Sequence, residues 1–394
     1  MTITRDQLDE AVRRDIISQT QRDNLVAFAN GTQKRARYGD DAGDANSQGD
    51  EAMRLVGGGN DVFVTIGVVL VGAGLFFALR SVVGPNLLVL FGALAVFLWG
   101  VAEFVTRQHR MRLSSTVLGV GFIVCVIELL SETMVSRFGL SIPENMVQLV
   151  AMRGDLGLAA TVFFGTVIAT AVIYFWRFKV PIMAAVIAIS VAGLLFSYGA
   201  LFIYDGVTSG NIQVPVLEEL PNLLRNALYI PLIAGLLIFA VGVMLDLHDK
   251  ERITVWSDCA FWLHVVSAPL LVHPLFILST GQEVVFGEVE PGMTATVLLA
   301  VLIFVFVYVA LAIDRRSLLI PTLAYFGTLG IYYLINSTAN TTGIPPFALI
   351  LLVVGALIMV FGAGWQRIRN LIIRPTLPAS LVERLPPIRV RSAA

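Results

Sequence analysis

Ten apolar runs, each about as long as a bilayer is thick, constrain this chain more than any other feature. They lie near 62–80, 85–105, 113–134, 155–176, 179–204, 223–246, 254–279, 292–313, 317–336 and 345–366. A helix needs about 20 mainly apolar residues to cross roughly 30 Å of hydrocarbon. The fold class that follows is all-α: a polytopic helical membrane protein with about ten transmembrane helices. Composition agrees. The 394 residues are 57% hydrophobic and 14% charged, where a soluble domain carries about 25% charged residues. The lipid bilayer is therefore the first partner the chain requires. The net charge of −1 supplies no basic field to attract nucleic acid.

The distribution of Lys and Arg orients the runs. With the N-terminus cytoplasmic, 23 of the 27 basic residues fall in inner segments and 4 in outer ones. By the positive-inside rule both termini are cytoplasmic. Four inner connections look alike: Arg110-Met-Arg-Leu-Ser, Arg177-Phe-Lys-Val-Pro, Lys250-Glu-Arg-Ile-Thr and Asp314-Arg-Arg-Ser-Leu. Their spacing suits a repeated two-span hairpin, although tight basic turns also arise from topology alone.

The ends of the chain differ in character. Residues 1–30 read as a cytoplasmic amphipathic helical hairpin, with Leu8, Ala11 and Val12 on one face and a turn near Ser18. The polar start is unlike a signal peptide. Residues 31–60 read as a flexible polar linker, 61–370 as the transmembrane domain, and 371–394 as a basic, proline-rich cytoplasmic tail. The segments 138–152 and 212–221 read as short helices lying at the interface. Glycines such as Gly67, Gly72, Gly74, Gly355 and Gly364 read as sites of close helix packing.

The stretch Leu8-Asp-Glu-Ala-Val-Arg-Arg-Asp-Ile-Ile-Ser-Gln-Thr-Gln-Arg-Asp resembles the head of a family of bacterial multi-span membrane proteins, the domain of unknown function 2157 type. Asp15 stands where that pattern favours Gly. The run from Asp258 to Pro274 also looks like segments of proteobacterial membrane proteins. The resemblance implies a bacterial inner (plasma) membrane and brings no activity with it.

Ionisable residues inside spans are expensive, by about 2.5–3.5 kcal/mol for Asp, Lys or Arg on insertion scales, so each is a candidate for function. His264, Glu128 and His273 lie deepest. Glu132 is nearer the outer interface, and Glu103 and Asp258 are nearer the inner one. Glu128 and Glu132, four apart, share a helix face and are able to share a proton. Asp258, at a span start, also suits the helix dipole. Pro269 and Pro274 free the carbonyls of Val265 and Leu270, so a kinked or unwound seventh span would present backbone oxygen between the two histidines. The pattern points to a proton or substrate pathway through His264, His273, Glu128, Glu132 and Asp258, with Glu128 as the partner of the histidines.

No metal, haem, nucleotide or hydrolase motif occurs, and Cys125 and Cys259 read as small buried hydrophobes. Expected cofactors, metals and catalytic residues are therefore none. The leading expectation is a proton-coupled transporter or carrier of a small solute. The alternative is a membrane scaffold or sensor that binds a cytoplasmic protein partner through residues 1–55.

Overall fold

A computed structural model describes residues 5–14, 59–109, 111–138, 153–212, 226–249, 254–280, 293–319 and 346–378. It also describes positions 19, 21, 22, 252, 327 and 385. The chain divides into two compact units, Met1–Ala52 and Met53–Ala394. In the first, α1 (Arg5–Arg13) is followed by a return of the chain, because Arg22 Nε donates to Asp9 Oδ1 at 2.7 Å. The linker expected at 31–60 lies outside the described residues except for its last two positions.

The second unit is helical throughout its described length. Its elements are α2 (Gly59–Val83), α3 (Leu87–Ala102) with a π-helical turn at Glu103–Gln108, α4 (Arg112–Phe138), α5 (Arg153–Phe178) and α6 (Met183–Thr208). They continue with α7 (Tyr229–His248), α8 (Val255–Thr280), α9 (Met293–Ile313), a 3-10 turn at Arg316–Leu318 and α10 (Pro346–Thr376). Helices α2 to α8 are seven helices long and apolar enough to cross a membrane. Helix α9 adds 21 residues without a charge, and α10 is 31 residues long. The chain is an all-α, multi-pass membrane protein. Of the ten expected spans, the ninth, at 317–336, lies almost wholly outside the described residues, as do the expected interfacial segments 139–152 and 213–221.

Neighbours in sequence pack in pairs. The closest pairs are α3 with α4, α5 with α6, and α7 with α8, while α6 also packs on both α7 and α8. Each of these pairs closes at one of the basic connections. Three connections turn on a non-glycine residue in the left-handed region: Lys179 (φ 56°), Arg252 (φ 56°) and Asp314 (φ 57°). Such a conformation costs an L-residue roughly 1–2 kcal/mol. In the aligned connections it falls at the third residue for Lys179 and Arg252 and at the first for Asp314, so the recurrent sequence pattern does not fix one turn geometry.

A buried carboxylate anchors α2. Asp61, 2% exposed, accepts from Leu113 N at 2.8 Å through Oδ2 and from Ser114 N at 3.0 Å through Oδ1. Ser114 Oγ donates to the same Oδ1 at 2.7 Å. These N–H groups begin α4 and have no partner within their own helix. Asp61 thus caps a neighbouring helix, where the dipole also favours negative charge.

Glycine decides how α7 meets α8. A Cβ on Gly235 would lie 2.9 Å from Leu270 Cβ and 3.0 Å from the Leu270 carbonyl carbon. A Cβ on Gly242 would lie 3.0 Å from His264 Cε1. Seven residues apart, the two glycines share a face and let the helices approach closely. The glycines expected to pack, Gly67, Gly72, Gly74 and Gly355, instead have no atom within 4 Å of where a Cβ would sit, and Gly364 meets only Ile368 of its own helix. Nor does α8 unwind. Pro269 and Pro274 lie inside one continuous helix, and the backbone at Leu270, whose carbonyl Pro274 frees, is the part that Gly235 admits against α7.

Helix α10 corrects the expected tail. It runs ten residues past the anticipated end of the tenth apolar run at 366 and into the expected tail, and Arg369, just beyond that run, is fully buried. The reason is local: Arg369 meets the end of α9, as described below.

Three substitutions test these contacts. Asp61→Ala leaves two N–H groups of α4 without an acceptor and should cost about 1–3 kcal/mol, read as a lower thermal midpoint in detergent. Lys179→Gly removes the left-handed penalty at an exposed position and should raise the midpoint. Asp314→Gly should lower it, because that side chain holds other residues in place.

Candidate functional site

The end of the bundle that carries the basic connections contains a cluster of buried charges built from four places in the sequence. It begins on α7. Asp246 is one turn beyond Gly242, so it faces α8 from the same side, and it is 3% exposed. Opposite stands His264 of α8, with no exposed surface. Its Nε2 lies 2.9 Å from Asp246 Oδ2. A carboxylate only accepts, so Nε2 carries the hydrogen. The other ring nitrogen, Nδ1, is buried with no hydrogen-bond partner, and a Cβ on Gly242 would lie 3.2 Å from it. Phe239 closes the pocket, its ring centre 5.3 Å from that of the histidine.

The third member comes from the connection after α9. The left-handed residue Asp314 reverses the chain, and Arg315 N then donates back to Ala310 O at 2.8 Å, a helix-terminating bond. This turn sends the Arg315 side chain inward. Its Nε donates to Asp246 Oδ1 at 2.9 Å and to Oδ2 at 3.0 Å, and its Nη2 also donates to Oδ1. Nη2 further reaches Ser257 O at 3.0 Å and Ser257 Oγ at 2.9 Å. Arg315 is 2% exposed, although its sequence context reads as a surface loop. One carboxylate therefore holds both a guanidinium and an imidazole, and Asp246 Oδ2 is shared between them.

A second centre adjoins the first through the peptide bond from Asp314 to Arg315. Trp365 Nε1 of α10 donates to Asp314 Oδ1 at 2.7 Å. Arg252 Nη1 and Arg369 Nη1 lie 3.5 and 3.7 Å from Asp314 Oδ2. Both guanidinium groups also meet carbonyls at the end of α9. Arg369 Nε donates to Leu311 O at 2.8 Å, and Arg252 Nη2 donates to Asp314 O at 2.6 Å and Ile313 O at 3.2 Å. Final carbonyls of a helix lack intrahelical partners and carry partial negative charge, so cations are favourable there. Arg316 adds a cation–π contact, 5.4 Å from the centre of the Trp365 ring.

The arrangement neutralises charge that would otherwise be prohibitive. Taking an ion from water into a protein interior costs several kcal/mol even after relaxation, and the mutual attraction of a pair offsets this only when hydrogen bonds are well made. Asp246 meets that condition with two guanidinium nitrogens and an imidazole. Residue His264 can exist as a neutral ring with a lone pair on Nδ1, or as a cation with hydrogens on both nitrogens. Removing or adding that one proton changes the charge balance around Asp246.

The expected residues divide. His264 is at the centre. Asp258, in the first turn of α8, is half-buried, and the residue before it, Ser257, accepts from Arg315. His273 lies nine residues further along α8 and is half-buried. Glu128 is exposed on α4 and Glu132 is half-buried one turn on; α4 packs against α2, α3 and α5. The carboxylate that meets His264 is thus Asp246 and not Glu128. Glu103 pairs elsewhere, accepting from Arg177 Nε at 2.9 Å and Nη2 at 2.7 Å. Among the described residues no group of three or more His, Cys, Asp or Glu side chains is placed to hold a metal ion.

Asp246, Arg315, Asp314 and Arg369 escape sequence reasoning because each sits at a predicted span end, where charges normally face water. One legible signal existed: Asp246 continues the spacing of Gly235 and Gly242 on one helix face.

Asp246→Ala should leave Arg315 buried without a counter-charge and cost about 3–5 kcal/mol. Combining it with Arg315→Met should recover most of that loss. Unfolding of the single and double variants in detergent checks both statements, and recovery of nothing would mean the pair does not act as a unit.

No family model matches this sequence, and no curated protein and no solved structure matches it.

Proposed function

We propose that this protein is a proton-coupled carrier of a small solute in a bacterial inner membrane, with both termini cytoplasmic. The observation that carries the reading is the fully buried His264 hydrogen-bonded to Asp246, which is itself paired with Arg315, inside a bundle of membrane-crossing helices. Ionisable groups at such depth are rare and mark proton or substrate pathways. Proton uptake at Nδ1 converts the imidazole to a cation while Nε2 keeps its bond to Asp246. Asp246 then faces two full positive charges, and its hold on Arg315 is shared with a stronger competitor. Because Arg315 and Asp314 are consecutive, a shift of Arg315 pulls on the contacts to Arg252, Trp365 and Arg369. Protonation is thereby linked to the packing of α7, α8, α9 and α10 at one end of the bundle.

The orientation rests on the positive-inside distribution of Lys and Arg. The bacterial setting rests on the resemblance to the domain of unknown function 2157 type, which we carry as part of this proposal.

Proteoliposomes loaded with a pH-sensitive dye and challenged with a small-metabolite extract test the function. The expected result is proton flux that falls about tenfold or more in His264→Gln and in Asp246→Asn, a loss of at least about 1.4 kcal/mol in coupling, with Glu128→Gln unchanged. Flux equal to that of empty liposomes, or unaltered by both substitutions, would overturn it.

One observation favours a second reading as a scaffold or sensor: Met1–Ala52 forms a compact unit of its own, which transport alone does not need. On that reading deletion of residues 1–55 abolishes capture of a cytoplasmic protein, and the His264 and Asp246 variants capture it normally.

A further inference from the structure

At the end of the bundle opposite the basic connections, α4, α5 and α6 enclose a partly open cavity of about 550 Å³. This volume falls within the 300–1,000 Å³ of typical small-molecule sites. Its shape follows from the helices that line it. On α5 the lining runs over residues 156–164 and on α6 over 197–204, which at 1.5 Å per residue is about 10–12 Å along the helix axes. The cavity is therefore a slot parallel to the spans, the direction in which lipid chains also run.

Small side chains make the space and aromatic ones bound it. Ala159, Ala160 and Ala200 line it together with Phe163 and Phe164. Phe164 lies against α6 because Gly193 has no side chain; a Cβ there would come within 2.4 Å of the ring. Thr161 Oγ1 and Tyr198 Oη, 2.6 Å apart, tie α5 to α6 along the same stretch.

Polarity in the slot is sparse and uncharged. None of the lining residues is Asp, Glu, Lys, Arg or His, and the polar ones are Ser131, Ser197 and Tyr204. Ser197, level with the phenylalanines, turns its hydroxyl hydrogen back onto its own helix, where Oγ donates to Gly193 O at 2.8 Å, so the deep end of the slot is in effect apolar. Tyr204 is in the last turns of α6, nearest the membrane surface, and the two phenylalanines lie deepest.

We propose that this slot binds one long apolar chain ending in a neutral hydroxyl, taken from the bilayer, with the tail against Phe163 and Phe164 and the hydroxyl at the Tyr204 end. Burying a charged head there would find no counter-charge in the lining, which selects a neutral terminus. The parallel alignment lets such a molecule enter sideways without leaving the membrane. The site is separate from the Asp246 cluster, and its test does not depend on proton coupling.

The test uses the full chain in nanodiscs and hexadecanol carrying a diazirine in its tail. On illumination, labelling should saturate, concentrate on peptides containing Phe163, Phe164 and Leu201, and be competed by unlabelled hexadecanol but not by hexadecanoate at neutral pH. Ala200→Trp, which fills the slot, should lower saturable labelling about tenfold, equivalent to about 1.4 kcal/mol of binding. Ala200→Leu serves if the tryptophan variant does not fold, and should lower it by a smaller factor. Labelling that never saturates, or that spreads equally over α2, whose apolar length is unburied, would overturn the proposal. Equal competition by the carboxylate would overturn the neutral terminus.

Discussion

A carboxylate inside a membrane bundle must be neutralised, and Asp246 achieves this by holding Arg315 and His264 at once. Much of the described architecture at that end of the molecule follows from this arrangement. Arg315 reaches inward only because Asp314 adopts a left-handed conformation. Asp314 in turn is held by Trp365 from α10 and neighbours two further guanidinium groups. Four helices and one short connection thus share two linked carboxylates. A chain with apolar residues at these positions would pack as readily in lipid, so the charges specify which ends meet.

The same device recurs in weaker form elsewhere. Glu103, at the end of α3, is paired with Arg177 at the end of α5, as Asp246 at the end of α7 is paired with Arg315 after α9. In both cases a carboxylate on the first helix of one hairpin meets an arginine of the next. Asp61 performs a related task for α2 by capping α4. Lipid gives little reason for one apolar helix to prefer another, so close packing and hydrogen bonds decide the association. In this bundle glycines set the closest approach, as at Gly235 and Gly242, while ionic contacts at the helix ends set the order.

How much of this was legible beforehand depends on the kind of information. Span positions were legible because hydrophobicity over about 20 residues is a property of the local sequence. The seventh span, expected at 254–279 and found at Val255–Thr280, illustrates this. His264 was legible as an expensive group in mid-span. Its partner was not, since Glu128 and Asp246 are equally plausible carboxylates until helix neighbours are known. Two prolines in one span suggest a kinked or unwound segment because an isolated helix loses a hydrogen bond at each; inside a bundle the surrounding helices support the continuous form. Basic residues just after an apolar run usually face water, whereas here the carbonyls ending α9 receive Arg369.

The amino-acid sequence by itself determined that this chain lives in lipid, roughly where its helices begin and end, and that His264 had to be accommodated at membrane depth. These follow from transfer free energies that act residue by residue. Tertiary structure alone decided that His264 meets Asp246, that Arg315 leaves its loop for the interior, and that α4, α5 and α6 leave an uncharged slot between them. Those outcomes depend on which helix faces which. That choice is made by contacts between residues far apart in the chain, such as Asp246 with Arg315 and Gly242 with His264, and no local pattern encodes them.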